Sequence, residues 1–429
     1  MKKLLKLGLK RNFNQIIGII GVGYVGLPLA VNFSKFFKTF AYDNDKKRIK
    51  ELKKHNDRNL DFNKKQLSNR KLNFTDNYKL LKNCNVYIIT LPTPLNKKNL
   101  PDLSLVLGAV RKLSKIIKKN DFIIFESTFY PGTVEEILIP ILEKNSKLKC
   151  KIDFDIGYSP ERINPGDKKH KLENIKKIVS SSSANGRKKI KYLYQKIIKA
   201  GLYEVNSIKA AELSKLLENS QRFVNIALMN QISTLCNKIN VNTKDVIDAA
   251  ASKWNFMKFY PGLVGGHCVA IDPLYLSFIQ KKMGISSLLI DASDKINNKK
   301  IFEITDKILR DNKNSFKILI LGATFKENCP DFRNSGSLSI IKLLNKKKIV
   351  PYLHDPYMSD FNKKLFSTYK FKEINKLKTY RYDCILISVG HKIYKKIGIK
   401  KIRGLSSNKD CKIYDLKSIF SKEKVHYQL

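Results

Sequence analysis

The chain has 429 residues, of which 43% are hydrophobic and 28% charged, a balance that excludes a disordered or collagen-like chain and suits a globular protein of two or three domains. Its 83 Lys and Arg against 37 Asp and Glu give a formal net charge of +46, which admits nucleic acid or a membrane surface as a partner. The basic residues recur along the whole chain in short groups such as Lys46-Lys47-Arg48, Lys168-Lys169 and Lys346-Lys347-Lys348. With no basic tail set apart, they read as a lysine-rich surface that would also attract a small anionic substrate. No nucleic-acid partner is expected.

Seven cysteines lie far apart with no CxxC pair, the usage of reduced thiols in a cytoplasmic protein, and no ligand spacing points to a metal. Gln15 to Ser34 is uncharged and follows a basic start, but it holds Gly18, Gly21, Gly23, Gly26 and Pro28, which argue against a membrane span. No membrane segment is expected elsewhere.

In chain order, Ile16–Ile20 reads as a strand ending in glycines, 24–37 as a helix, and Phe40–Tyr42 as a second strand ending at Asp43. Further strand candidates are 85–91, 121–125 and 152–158. Continuous apolar strands separated by helical patterns predict a parallel sheet covered on both faces. Three strands run into the loops Pro92-Thr93-Pro94, Glu126-Ser127-Thr128 and Ser159-Pro160-Glu161-Arg162, at the strand ends that line a ligand crevice in such sheets. From 207 to 251 the pattern is helical, a turn-rich segment follows at 259–273, and alternation returns in strands at 317–321, 350–354, 384–389 and 412–414. The expected architecture is α/β: two doubly wound, Rossmann-like parallel-sheet domains, at 1–204 and 311–429, joined by a helical domain at 205–310.

Gly21-Val22-Gly23-Tyr24-Val25-Gly26 is a GxGxxG sequence between a strand and a helix, and Asp43 lies about 20 residues on at the next strand end. Gly21 permits the turn, Gly23 lets the backbone approach a diphosphate, and Gly26 allows close helix–strand packing. Asp43 would bond an adenosine ribose and repel a 2′-phosphate, favouring NAD, with Arg48 nearby as a counterweight toward NADP.

Glu212, Lys215, Asn219 and Arg222 are spaced 3, 4 and 3 along one helix face. A solvated face with a simple Glu–Lys pair is one reading. Because Ala210, Ala211, Leu213, Leu216, Leu217, Phe223 and Val224 cover the rest, a polar line buried against a cleft is the other. Gly265-Gly266-His267-Cys268 leads to Asp272-Pro273. A helix opening there would lower the thiol pKa from about 8.5 and bring Asp272 to the face of Cys268. Taken alone, Cys268 is equally a nucleophile or a buried thiol.

Together, Gly21 to Pro28, Ser159-Pro160-Glu161-Arg162, Glu212-Leu213-Ser214-Lys215, Gly265-Gly266-His267-Cys268 with Asp272-Pro273, and Phe325-Lys326 with Arg333 resemble the UDP-glucose/GDP-mannose dehydrogenase family over nearly the whole chain. The resemblance implies NAD-dependent four-electron oxidation of the C6 alcohol of a UDP-sugar through a thiohemiacetal and a thioester on Cys268. It implies catalytic roles for Cys268, Lys215, Asn219, Asp272, Glu161 and Thr128. Gly21, Gly23, Tyr24, Val25, Gly26, Asp43, Arg48, Thr93 and Thr128 would meet the cofactor. Glu161, Arg162, Lys215, Asn219, Arg222, Gly265, Lys326 and Arg333 would meet the sugar nucleotide. His267 and Ile271 stand where UDP-glucose enzymes usually carry Ser and Lys, and this form, with Ser252 to Phe256 and Pro261 to Val264, is similar to the branch acting on UDP-N-acetylhexosamines, nearest those oxidising UDP-N-acetylglucosamine for bacterial surface polysaccharide. Tyr260 departs from the Arg usual there, with Lys258 as a candidate substitute. The family also implies a homodimer formed by the helical middle. The competing readings are a two-electron alcohol dehydrogenase in which Cys268 does no chemistry, UDP-N-acetylmannosamine, UDP-N-acetylgalactosamine or UDP-glucose as substrate, and a polyanion-binding protein without turnover.

Overall fold

A computed structural model describes residues 15–59, 61–163, 170–312, 316–358, 366–377, 382–407 and 409–429; the Lys168-Lys169 pair lies outside them. The chain forms two compact units, Met1–Leu216 and Leu217–Leu429.

The first unit carries β1 (Ile16–Ile20), β2 (Lys38–Tyr42), β3 (Leu72–Thr75), β4 (Val86–Ile89), β5 (Phe122–Phe125), β6 (Asp155–Tyr158), β7 (Lys177–Ser181) and β8 (Leu202–Glu204). They form one sheet in the order β3-β2-β1-β4-β5-β6-β7-β8. β4 and β5 are buried at every residue, as strands covered on both faces must be. The expected strand at 152–158 starts only at Asp155, since Ile152 is 82% exposed in a turn. Among the described residues, all pairings are parallel except β6 with β7, where Tyr158 faces Ser180. Strand order reverses between β1 and β4, the switch point where doubly wound sheets open a crevice.

The helices of this unit are α1 (Gly26–Phe33), α2 (Lys46–Lys53), α3 (Lys64–Leu67), α4 (Ser104–Leu113), α5 (Ile139–Ser146) and α6 (Ala184–Gln195). α1 is buried on all sides, which is why 15–34 is so apolar: it is a strand, a glycine turn and a core helix. Asp45 caps α2 by accepting the Lys47 and Arg48 N–H groups, worth about 1 kcal/mol.

α7 (Ile208–Lys238) runs from the first unit into the second, followed by α8 (Thr243–Ala250), α9 (Asp272–Lys282) and α10 (Leu288–Asp311). α10 is tied to α7 by polar contacts, Asn230 Nδ2 to Asn297 Oδ1 at 2.9 Å and Lys300 Nζ to Thr234 Oγ1 at 2.7 Å. Then come β9 (Ile318–Leu321), α11 (Gly336–Lys346), β10 (Tyr352–His354), β11 (Lys372–Glu373), β12 (Cys384–Ile387), α12 (Lys392–Arg403), β13 (Lys412–Asp415) and β14 (Tyr427–Gln428). These strands form a parallel sheet in the order β11-β10-β9-β12-β13-β14.

The two sheets share a construction at their first turns. Gly21 N–H donates to the Tyr42 carbonyl and Gly322 N–H to that of His354, each at 2.9 Å. Asp43 accepts the Val22 N–H, as Asp355 accepts those of Ala323 and Thr324. Asp355 is further bonded to His391 at 3.2 Å. No disulfide joins any of the seven cysteines. Among the described residues, no helix is long and apolar enough to cross a membrane, and no three metal-ligating side chains cluster.

Candidate active site

The glycine loop between β1 and α1 is built for a dinucleotide. A Cβ on Gly26 would lie 1.8 Å from the Gly21 carbonyl oxygen, so only glycine lets α1 begin there. A Cβ on Gly23 would meet nothing within 4 Å, leaving open space where a diphosphate could approach backbone N–H groups. Tyr24 and Val25 are half-buried in the same turn. The Asp43 carboxylate is held by the N–H groups of Val22 and Asp45, both at 2.9 Å. Arg48 departs from the expectation of a free cation near the ribose. Its Nη2 meets Asp57 at 2.9 Å with both side chains buried, and its Nε donates to the Val22 carbonyl. The residues present therefore fit NAD.

The loops after β4 and β5 are stitched together. Thr93 Oγ1 donates to the Thr128 carbonyl at 2.9 Å and Ser127 Oγ to the Leu91 carbonyl at 2.6 Å, joining two expected cofactor contacts. After β6, Glu161 is buried. Its Oε1 accepts the N–H groups of Arg162 at 2.5 Å and Ile163 at 2.6 Å, and its Oε2 accepts Lys177 Nζ at 2.9 Å. Burial would raise this carboxyl, but the Lys177 charge and those bonds outweigh it and hold it below its ordinary value. Arg162 is half-buried, with Nη1 on the Lys176 carbonyl.

On α7 the buried polar line exists for three residues of four. Glu212, Lys215 and Asn219 are buried, whereas Arg222 is exposed. At about 100° per residue, Arg222 falls at the edge of the sector that buries Phe223 and Ala227. Glu212 is no partner for Lys215: its carboxylate accepts the Gly132 N–H at 2.7 Å and the Val134 N–H at 3.0 Å. Burial pushes it up to about 8, only partly offset by these bonds. It thus clamps the turn that follows the Thr128 loop. The apolar flank is divided: Ala211, Leu216 and Phe223 are buried, whereas Leu213 and Leu217 are exposed.

In the second unit, the Cys268 carbonyl accepts the N–H groups of Ile271 and Asp272 at 3.0 and 2.8 Å. The cysteine therefore sits in the turn that opens α9, the condition on which its lowered thiol pKa depended, and it is half-buried. Asp272 begins that helix, is 1% exposed, and accepts Asn219 Nδ2 at 2.6 Å. The Gly-Gly turn packs on 325–334: a Cβ on Gly265 would lie 2.6 Å from the Asn334 carbonyl, and Asn334 Nδ2 donates to the Gly266 carbonyl. His267 stands edge-on to Phe325 and 3.5 Å from Asp331. Burial first, then Arg333, lowers its pKa to about 4 against the pull of Asp331, so it is neutral near pH 7. Arg333 grips Asp331 with a two-pronged contact at 3.0 and 2.8 Å and is otherwise exposed, and Lys326 is half-buried on the same segment. Lys258 is committed to Asp248 at 2.5 Å and lies over the Tyr260 ring.

Sequence reasoning missed Glu126, Lys177, Asp331 and the clamp made by Glu212. Glu126 carried a signal, standing at a strand end in a loop already singled out. Lys177 had none, being one lysine among many.

The UDP-glucose/GDP-mannose dehydrogenase family matches in three parts: its NAD binding domain at residues 15–198, its central domain at 209–299 and its UDP binding domain at 319–422. The UDP-N-acetyl-D-glucosamine 6-dehydrogenase of Salmonella typhi is 42% identical over 420 residues, 96% of this chain and 98% of its own. That of Pseudomonas aeruginosa is 38% identical over 96% and 99%. Among solved structures, the UDP-D-ManNAc dehydrogenase of Pyrococcus horikoshii superposes with a TM-score of 0.82 at 27% identity, over 96% of this chain and 98% of that one.

Proposed function

Since the chain belongs to the UDP-glucose/GDP-mannose dehydrogenase family and is an NAD-dependent UDP-sugar 6-dehydrogenase, we propose that it oxidises UDP-N-acetylglucosamine to the uronate through Cys268. The observation that carries this reading is the buried Asn219–Asp272 hydrogen bond at the start of the helix that Cys268 opens. NAD, when bound, supplies the hydride acceptor for both oxidations. The Cys268 thiolate adds to the C6 aldehyde, forming a C–S bond and an oxyanion. Lys215 and Asn219, one turn apart on α7, stabilise that charge. Loss of hydride from the adduct leaves a thioester, and water then displaces the sulfur to give the acid. Asp272 and Lys215 move the protons and Glu161 orients the water, with Thr128 beside the nicotinamide. Lys326, Arg333, Arg162, Arg222 and Gly265 contact the sugar nucleotide. The same reading divides the chain at 1–204, 205–310 and 311–429 and places the enzyme in the cytoplasm, supplying a uronate for surface polysaccharide.

The choice of sugar rests on the relatives at 42% and 38% identity. With purified UDP-hexoses and NADH counted against product mass, UDP-N-acetylglucosamine should give the highest kcat/KM and two NADH per sugar. UDP-glucose or UDP-N-acetylmannosamine ranking first would overturn the substrate.

The second unit also supports a homodimer. α7, α9 and the start of α10 border a groove of about 350 Å3 lined by Leu217, Leu288 and Leu289 among others, all exposed. A second copy would cover these leucines. Burying each leucine is worth about 1.5–3 kcal/mol, so Leu217→Asp with Leu288→Asp should weaken the dimer by on the order of 10²-fold or more. Sedimentation velocity checks this, and a wild type that sediments as a monomer refutes it.

A further inference from the structure

The antiparallel pairing of β6 with β7 has a chemical consequence. It reverses β7, so that Lys177, the first residue of β7, arrives at the same sheet edge as Glu126 after β5 and Glu161 after β6. There Lys177 is 3% exposed, with Nζ 2.6 Å from Glu126 Oε2 and 2.9 Å from Glu161 Oε2. The other oxygen of Glu126 meets the Tyr194 hydroxyl from α6, and the Lys177 ammonium lies over the Tyr194 ring at 5.5 Å. One amino group and two carboxyl groups are thus enclosed together.

Such a buried cluster is a poor way to gain stability, because desolvating its charged groups offsets most of their attraction. It does fix geometry. Lys177 is anchored on one side by Glu126 and Tyr194, and on the other it presents one N–H to one oxygen of Glu161. The remaining Glu161 oxygen is taken by two backbone N–H groups.

We infer that Lys177, steadied by Glu126 and Tyr194, is a positioning residue that sets the orientation and charge state of the Glu161 carboxylate; this rests on the proposed role of Glu161 with substrate and water. The groups facing the cluster are Glu126 from the β5 end, Glu161 from the β6 end, Lys177 on β7 and Tyr194 on α6. Burial, opposed by Lys177, pushes Glu126 up to about 8. Below that pH the neutral Glu126 leaves the lysine charge to Glu161, and above it the two carboxylates compete.

A double-mutant cycle on the full-length enzyme tests the assignment. Glu161→Gln should lower kcat by on the order of 10²-fold or more. Lys177→Met should lower it about tenfold or more, with KM for UDP-N-acetylglucosamine changed less than about threefold. The double variant should be no slower than Glu161→Gln, because the lysine acts only through that carboxylate. Fully multiplicative losses overturn the positioning role while leaving Glu161 in place. An unimpaired Glu161→Gln overturns the role of Glu161 and this inference with it. Should Lys177→Met not fold, Glu126→Gln decides through the pH profile of kcat/KM. The wild-type change near pH 8 should vanish in that variant, and superimposable profiles contradict the inference.

Discussion

Replacing Cys268 with alanine is expected to slow formation of the acid by about 10³-fold or more, on the scale seen when a covalent nucleophile is removed. An aldehyde carries a hydrogen on C6 but cannot lose it as hydride until the carbon becomes tetrahedral and bears a negative oxygen. The sulfur provides that carbon and later leaves it. Without the sulfur, only the slow hydration of the aldehyde could do so. Cys268→Ser should also be severely slowed, because an alkoxide is harder to form and harder to displace than a thiolate. The variant's product, identified by mass, should be aldehyde or unreacted sugar. NAD affinity should hardly change, since the glycine loop that carries it lies in the first unit. Acid formation by Cys268→Ala at the wild-type rate would leave a two-step oxidation without sulfur chemistry as the better account.

Gly26→Ala should be the most damaging single-methyl change in the cofactor domain. The added carbon would sit 1.8 Å from the Gly21 carbonyl oxygen and 2.5 Å from Thr90 Oγ1. Neither can retreat cheaply, because Thr90 Oγ1 is bonded to the carbonyls of both Ile20 and Gly21, at 3.1 and 2.8 Å. Either α1 shifts away from β1 or the glycine turn opens, and both displace the N–H groups that would face the diphosphate. Overpacking of this kind costs about 1–3 kcal/mol of stability. NAD affinity should fall by on the order of 10²-fold, equivalent to about 2.7 kcal/mol. Titration calorimetry with NAD reads the loss. UDP affinity, carried by residues 319–422, serves as the control and should stay within about threefold. Wild-type NAD binding by this variant would show that the loop does not hold the diphosphate.

The first sheet was legible where strands were uniformly apolar. VYII of β4 and FIIF of β5 are short runs rich in β-branched and aromatic residues, the composition of buried strands. The segment KIVSS of β7 begins with a lysine in a lysine-rich stretch and pairs antiparallel with β6, Tyr158 to Ser180 and Gly157 to Ser181, a feature that depends on residues distant in sequence and leaves no local pattern. The Cys268-to-Asp272 spacing left a helix start there as a condition, which α9 meets, whereas the Asn219–Asp272 bond joins residues 53 positions apart and no periodicity reports it. On α7 the spacing of Glu212, Lys215 and Asn219 identified a buried polar line. The period alone could not tell that Leu213 and Leu217 face outward while Leu216 is buried, because periodicity separates two faces without saying which is inside. Arg48 illustrates the same limit: its proximity to Asp43 in sequence suggested a cation for a phosphate, and its side chain is instead spent on Asp57.

The central claim is a covalent bond between C6 of the sugar and the sulfur of Cys268. Rapid acid quenching of the enzyme turning over UDP-N-acetylglucosamine and NAD, followed by proteolysis and mass measurement, tests it directly. The peptide containing Cys268 should carry the sugar nucleotide less four hydrogens, the mass of a thioester, and should lose it on treatment with hydroxylamine. A peptide that stays unmodified while uronate accumulates, under quench conditions shown to preserve a thioester standard, would contradict the account.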